Sequence, residues 1–527
     1  MSRIGNEDDV AQLNVMHAGD ILHYDYRPAQ GNCNSTPTNP KVSDTFRVVQ
    51  WNIERGIKLD AIIADLKALN ADFIALQELD INCRRSSYVN VPKELAKALQ
   101  AELYFVCEFE ELDSPCRSPQ NAVGPKSQPS QESAAETDHK THAGRHFHGN
   151  AILSRRATIR EATSVPHTTS VHWDEDGAKF NEPRRGYRSA LRVRVDAAER
   201  TSPQTPPLYI YCCHFEVFCG ALARVRQLGD CMADMQRLLR LSSVLSGTTA
   251  QQPAFLVAGD LNTMAHGIVR FSRQYGNDRL RFLSVGEAEA CWLQRKVLSR
   301  NMHSFERGCC PFSYRYPALL ASRIHQLLWN NKWVWRYLYG FSDAELERVS
   351  NVKLCLFDPA DKAKSITLDN PDYNGFVCGK FDWLLLSNLK PQPFRIHRGG
   401  AQPVDVAALE KRGSVSATSY TAKYLHSIQD GGQDDEARIA TTRPDEVAYK
   451  YVPEDGYLLF NENYTASDHR GLVMTVQQNS GRSKEVYPEH GAPYTACWVA
   501  LGFFALTRAV PVVAVAFVLY HKLKAAD

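Results

Sequence analysis

Six short stretches limit what this chain can fold into. "FRVVQWN", "FIALQE", "YIYCCH" and "FLVAGDLN" are apolar runs that end in an amide, a carboxylate or an imidazole: Asn52, Glu78, His214, and Asp260 with Asn262. "FDWLLLS" opens on Asp382, and Asp468-His469 stand just before "GLVMTV". Buried strands carry apolar runs of this length. When several share a sheet, polar residues at their ends meet in one cleft, where α/β proteins bind ligands. One such residue is ordinarily a turn former, and one His after an apolar run is ordinarily structural. A whole series in the same relation to its strands points to a site.

The intervening chain supports an α/β reading. Residues 46–53 and 72–79 read as strands, and Leu59, Ile62, Ile63, Leu66 and Leu69 between them recur at helical spacing, with Asn70 as the stop. Strand, helix, strand is the rhythm of a βαβ unit. Further strands are expected at 103–109, 150–155, 189–195, 208–215, 255–258, 381–387 and 471–476, and a helix from Leu222 to Leu239. With 527 residues, 44% hydrophobic and 23% charged, the chain is ordinary globular material. The expected organisation is one large domain over 45–478, with insertions near 114–144, 290–375 and 398–463. A polar, poorly ordered arm (1–44) precedes it and a linker (479–493) follows.

A net charge of +2 neither supports nor excludes nucleic acid. The 14 cysteines show no CxxC pair and no zinc spacing, and no apolar leader segment opens the chain, so free thiols in a reducing, intracellular compartment are expected. Residues 496–520 carry a single charge, Arg508, within 25 positions. About 20 apolar residues suffice to span a bilayer, and a central Arg costs roughly 2.5–3.5 kcal/mol on insertion scales. The segment 494–527 is therefore expected to be a tail anchor that leaves the large domain cytosolic. The aromatic-rich 327–349 is read first as a helix packed on the core, then as a membrane-interface element, then as a base-stacking surface.

Taken in order, "WNIERG", "LQELD", "HFEVF", "GDLNT", "FDWLLLS" and "SDHRG" closely resemble the endonuclease/exonuclease/phosphatase superfamily, from about Phe46 to Val476. The resemblance implies a deoxyribonuclease-I-like, four-layered α/β sandwich: two packed mixed β-sheets flanked by helices. It implies hydrolysis of phosphodiesters by Mg²⁺-assisted attack of water, with Mn²⁺ as an alternative ion. Carried over motif by motif, Glu78 is the principal metal ligand, with Asn52, Asp260 and Asp468 near the metal. Asn52 also lies beside the phosphate. His214 donates to a non-bridging oxygen, Asp260 activates the water and Asn262 holds the phosphate. Asp468 fixes the tautomer of His469, and Asp382 supports a histidine, assigned to His214. Asn150 of "GNAILSR" and Arg85 of "CRRSS" are substrate-contact candidates, "EPRRGYRSAL" (182–191) brings an arginine to the substrate, and Arg224 and Gln227 have packing roles.

The fold does not name the substrate. "KFDWLL" departs from the Cys-Asp-Arg of inositol polyphosphate 5-phosphatases, while "HFEVF" is similar to the His-x-Glu of sphingomyelinases. With the apolar tail, this favours a membrane-associated lipid phosphodiesterase of neutral-sphingomyelinase type. A nuclease and a catalytically silent, membrane-tethered scaffold are the alternatives, and no protein partner is inferable.

Overall fold

The computed structural model describes residues 9–28, 45–112, 145–169, 171–180, 182–196, 206–219, 221–246, 252–262, 380–392, 404–415 and 457–478, with isolated positions at 342, 344, 356, 367 and 368. The insertion at 114–144, nearly all of 290–375, the 479–493 linker and the 494–527 tail lie outside them. Among the described residues no helix is long and apolar enough to cross a membrane.

Two βαβ units frame the molecule. In the first, β2 (Thr45–Arg55) runs parallel to β3 (Phe73–Ile81), joined by α2 (Leu59–Leu69). Helix α2 buries Ile62, Leu66 and Leu69 at helical spacing and stops at Asn70, whose φ of 48° places it in the left-handed region, as a C-terminal cap. In the second, β9 (Leu208–His214) runs parallel to β10 (Ala254–Asp260), joined by α5 (Ala221–Ser246). The other strands are β1 (Ile21–Asp25), β4 (Glu102–Glu111), β5 (His146–Ser154), β6 (Glu161–Pro166), β7 (Arg184–Gly186) and β8 (Ser189–Val195), with a short helix, α4 (Trp173–Asp176), before β7. Strands β11 (Asp382–Ser387), β12 (Leu389–Gln392), β13 (Tyr457–Phe460) and β14 (Gly471–Gln478) follow. Among the described residues the first sheet has nine strands, with main order β1-β4-β5-β3-β2-β14-β12 and β7 and β13 as branches; the second has five, ordered β11-β10-β9-β8-β6.

The layers follow from period-two alternation. Val48 and Ala75 of the first sheet meet Ile210, Leu256 and Leu384 of the second in the central core. Their sequence neighbours Val49, Trp51 and Ile74 face outward to α2 and α3 (Val91–Leu99). Tyr211, Cys213 and Val257 face outward to Leu228, Met232 and Met235 of α5. The result is helix, sheet, sheet, helix, the four-layered sandwich implied by the sequence motifs.

Two expectations change. The arm at 1–44 is not wholly disordered: α1 (Asp9–Asn14) and β1 are built into the sheet edge, with β1 antiparallel to β4. The alternation in "ILHYD", with Leu22 and Tyr24 buried, is short and sits in polar sequence, and so escapes composition. The 398–463 insertion is likewise partly structural. It supplies α6 (Val406–Lys411) and β13, which pairs with β14. If β1 belongs to the fold, Leu22→Ala should lower the unfolding free energy by about 2–5 kcal/mol, the usual cost of a large-to-small change in a core. Urea denaturation checks this, and an unchanged midpoint and slope would return the segment to a loose arm.

Candidate active site

The inner faces of both sheets are apolar along most of their length and turn polar at one rim. Strand β2 carries Val48, then Gln50 and Asn52, on its inward side; β9 carries Ile210, Cys212 and then His214; β10 carries Leu256, Ala258 and then Asp260. Because the strands of each βαβ pair are parallel, their carboxyl ends come out together. Asp260 is in register with His214 on one side and Asp382 on the other, so these three lie in a row across the second sheet. Asn52 reaches over from the first sheet, and its Nδ2 donates to Asp260 Oδ2 at 3.1 Å and to Glu78 Oε1 at 3.2 Å.

Glu78 owes its position to a break in β3. The register with β5 shifts between Leu76 and Leu79, and Glu78 has φ of 58°. A bulge of this kind re-aims a side chain, and a left-handed non-glycine residue costs on the order of 1–3 kcal/mol, a strain that clusters at functional sites. Burial opposes the charge on Glu78, but Arg55, His214 and His148 hold its carboxyl well below the ordinary range. Arg55 Nε lies 3.8 Å from Glu78 Oε2.

The two histidines are set differently. Arg188 Nη1 donates to His214 Nδ1 at 2.9 Å. A guanidinium can only donate, so Nδ1 is the acceptor and the proton sits on Nε2. Burial and Arg188 push the pKa of His214 well below the usual imidazole range, leaving a neutral ring with an Nε2–H donor. Arg188 is itself held by Glu108 at 2.7 Å, and Glu216, which accepts from Trp173 Nε1, lies 3.8 Å from its Nε. For His469, burial again opposes charge, but Asp382, Asp468 and Asp260 raise its pKa well above the usual value. Its Nδ1 contacts Asp382 Oδ2 at 2.8 Å, and the other oxygen of Asp382 accepts from Gln50 at 2.9 Å. Burial, partly opposed by His469 and reinforced by Asp382, pushes the Asp260 carboxyl up to about 7.

These contacts revise several assignments. Asp382 supports His469, not His214; the partner of His214 Nδ1 is Arg188. Asp468 does not set the His469 tautomer, since Nδ1 is taken by Asp382 from the neighbouring β11; Asp468 acts through its charge on His469 and on Glu54. Arg85 is not turned to the site: it forms a double hydrogen bond with Asp80, at 2.6 and 2.7 Å, and reaches Glu111. Asn52 is not oriented as a metal ligand, because its Oδ1 accepts from Glu54 N at 3.1 Å, which turns its amide nitrogen inward. Asn262, with φ of 49°, donates to Phe215 O at 2.8 Å, and its own N–H closes a turn onto Asp260 Oδ1. Asn150 is wholly buried on the inner side of β5, with neither amide atom hydrogen-bonded among the described residues. Gly259 permits the close approach of β9, as a Cβ there would stand 2.3 Å from Cys213 O. Arg224 and Gln227 brace the loop after β9, through Cys219 O and Glu216 N.

Sequence reasoning passed over Arg55, Glu108 and His148, and only indicated the segment that holds Arg188. His148 lies two residues before Asn150 on the same face of β5 and contacts Asp80 at 2.8 Å. Alternation back from Asn150 was the available signal.

The Endonuclease/Exonuclease/phosphatase family profile matches residues 49–419, a span that holds Asn52, Glu78, His214, Asp260 and Asp382. The chain belongs to that family. At that level it is a phosphoester hydrolase. No curated protein matches the sequence. Among solved structures, an endonuclease/exonuclease/phosphatase from Beutenbergia cavernae DSM 12333 is 14% identical, with 82% of this chain and 72% of that one covered and a TM-score of 0.33. Truncated Caenorhabditis elegans TDP2 is 12% identical, covering 82% and 98%, with a TM-score of 0.32. ANGEL2, a 2',3'-cyclic phosphatase solved with adenosine-2',3'-vanadate, is 12% identical, covering 83% and 96%, with a TM-score of 0.36.

For this family member the residues fit a hard cation on one side of the site. Asp260, Asp382 and His469 offer ligand atoms within 4.8 Å of one another, but both oxygens of Asp382 are engaged by Gln50 and His469. Glu78 is ionised, in part exposed to the cleft, and faces the carboxylate of Asp260 through Asn52. Oxygen donors of this kind suit Mg²⁺, which keeps several waters. If Asp382 is what keeps His469 protonated, histidine-selective NMR should show that ring charged at pH 7 and its pKa falling by roughly one unit or more in Asp382→Asn. A fall confined to Asp468→Asn would restore the sequence-based pairing.

Proposed function

We propose that the protein hydrolyses phosphodiester bonds by metal-assisted attack of water, with a membrane lipid as the favoured substrate class. The observation that carries the chemistry is the ring of donors about one oxygen. Asp260 Oδ2 has Asn52 Nδ2 at 3.1 Å, His214 Nε2 at 3.7 Å and His469 Nε2 at 3.9 Å. The last two are too long for direct hydrogen bonds; a substrate or water oxygen set to one side of these lines could bond to both ends.

In this reading Asp260 takes the proton from the attacking water, a role suited to a carboxyl titrating near neutrality. The Nε2–H of His214 donates to a non-bridging phosphate oxygen, and the protonated His469, held by Asp382, donates to a second as charge builds in the transition state. Arg55, beside Glu78, takes the substrate-binding role earlier assigned to Arg85. Mg²⁺ bound at Glu78 would neutralise phosphate charge and stabilise the departing oxygen. Buried residues of opposite and like charge brought this close have a catalytic rationale that a silent scaffold lacks. The lipid preference rests on the apolar 496–520 segment and "HFEVF". Within the latter, Glu216 receives the indole N–H of Trp173 and lies near Arg188, a positioning task compatible with any phosphodiester.

The full-length protein should hydrolyse bis-p-nitrophenyl phosphate with Mg²⁺ or Mn²⁺ and stop with EDTA. Glu78→Ala and Asp260→Asn should each lower kcat by about 10²–10⁴-fold. Retained activity in both variants contradicts the site. Arg55→Gln should lower kcat/KM by roughly 10- to 100-fold, the worth of one hydrogen bond to a charged group, and an unchanged value removes Arg55 from substrate binding. Sphingomyelin vesicles, plasmid DNA and poly(A) assayed in parallel decide the class. Nicked plasmid with inert sphingomyelin replaces the lipid reading by the nuclease one.

A further inference from the structure

A second cluster of ligating side chains lies behind the second sheet, on the face opposite the active site. His167 follows β6, Cys213 is the outward-facing residue just before His214 on β9, and Cys231 lies on α5. All three are buried, and their ligand atoms fall within 4.8 Å of one another. We propose that His167, Cys213 and Cys231 hold a zinc ion through three protein ligands, with a water completing the tetrahedron, at a site separate from the hydrolytic centre that pins α5 to β9.

Three observations converge on this. The two sulfurs are 3.7 Å apart. With Zn–S bonds of about 2.3 Å, two thiolates at the corners of a tetrahedron stand roughly 3.8 Å from each other. Next, neither ring nitrogen of His167 has a hydrogen-bond partner of ordinary geometry among the described residues, although the side chain is completely enclosed. Buried polar atoms are almost always satisfied, and an ion is one of the few things that explains an exception. A bare S–H···S contact accounts for the sulfurs and leaves the imidazole with the Gln227 carbonyl beside one nitrogen and nothing for the other; a zinc ion accounts for both. Finally, the surroundings supply an outer layer. The Gln227 carbonyl lies beside the imidazole, and the Asp230 carboxylate, held by Thr168, stands 4.0 Å from Nδ1. Ligating histidines are commonly oriented by such carbonyls and carboxylates. A thiolate pair with an imidazole selects zinc over the hard cations suited to Glu78.

Binding is a simple exchange: the two thiols release their protons to solvent as the Zn–S bonds form, and no oxidant is needed. The sequence spacing hides the site, since its ligands come from a strand exit, a strand and a helix. It matters to catalysis by position. Cys213 is one residue from His214, and Phe215 packs edge-on against the His167 ring, with centroids 5.1 Å apart.

The test is cobalt substitution of the full-length protein, produced in cobalt-supplemented medium and dialysed into Mg²⁺ buffer. Wild type should show the near-ultraviolet thiolate-to-cobalt charge-transfer band, which the oxygen and nitrogen donors of the hydrolytic site do not produce. Cys231→Ala and His167→Gln should lose or shift it, and Glu78→Ala should keep it. X-ray absorption of the zinc-loaded wild type should find two sulfur neighbours, a measurement independent of whether any variant folds. No sulfur scatterers in wild type, an unchanged band in Cys231→Ala, or a Cys213–Cys231 disulfide found by peptide mapping overturns the proposal.

Discussion

The contact between Asn52 and Asp260 holds the two sheets together where the chemistry lies. It joins the carboxyl end of β2 to that of β10, at 3.1 Å, across the central layer of the sandwich. Both strands reach that rim because each belongs to a parallel pair, and each parallel pair needs a crossover helix on its outer face. The helices α2 and α5 are thus not merely cover. They fix the polarity of β2, β3, β9 and β10, so Asn52, Glu78, His214 and Asp260 emerge at one end instead of alternating between two. The remaining strands pair antiparallel, and Asp382 and His469 reach the same rim at the amino ends of β11 and β14.

The site is an edge where a hydrophobic interior changes character without a change of backbone. One residue in two along β2, β9 and β10 faces the inner layer, and the last of these are polar. Burial then does electrostatic work. It neutralises His214, raises Asp260 towards neutrality, and leaves His469 charged because Asp382, 2.8 Å away, together with Asp468 and Asp260 outweighs it. Two histidines that look equivalent in sequence thus differ in charge, and the difference comes from partners far along the chain: Arg188 for one, Asp382 for the other.

Strand positions, both crossover helices and the residues at strand ends were legible because each leaves a local pattern: an apolar run, a helical period, a polar terminus. What was not legible depends on pairing between distant segments. Adjacency in sequence assigns Asp468 to His469 and leaves Asp382 for His214, and only the register of β11 against β10, with the contact it permits, brings Asp382 to His469. Arg85 follows Glu78 closely in sequence, but the irregular turn after β3 swings it to Asp80 and Glu111. The strand β1 was hidden by the polar sequence around it. The His167–Cys213–Cys231 cluster was hidden by spacing that matches no motif, although Cys213 alternates with His214 as the strand geometry requires.

Glu78, turned into the cleft by the break in β3, is proposed to anchor the catalytic ion, while Asp382 and His469 form a hydrogen-bonded pair that does not. Anomalous diffraction from crystals soaked in Mn²⁺ tests this directly. The expected result is a peak bonded to a Glu78 carboxylate oxygen, with the Asp382–His469 contact intact. A peak bonded to Asp382 or His469, with Glu78 unliganded, would contradict it.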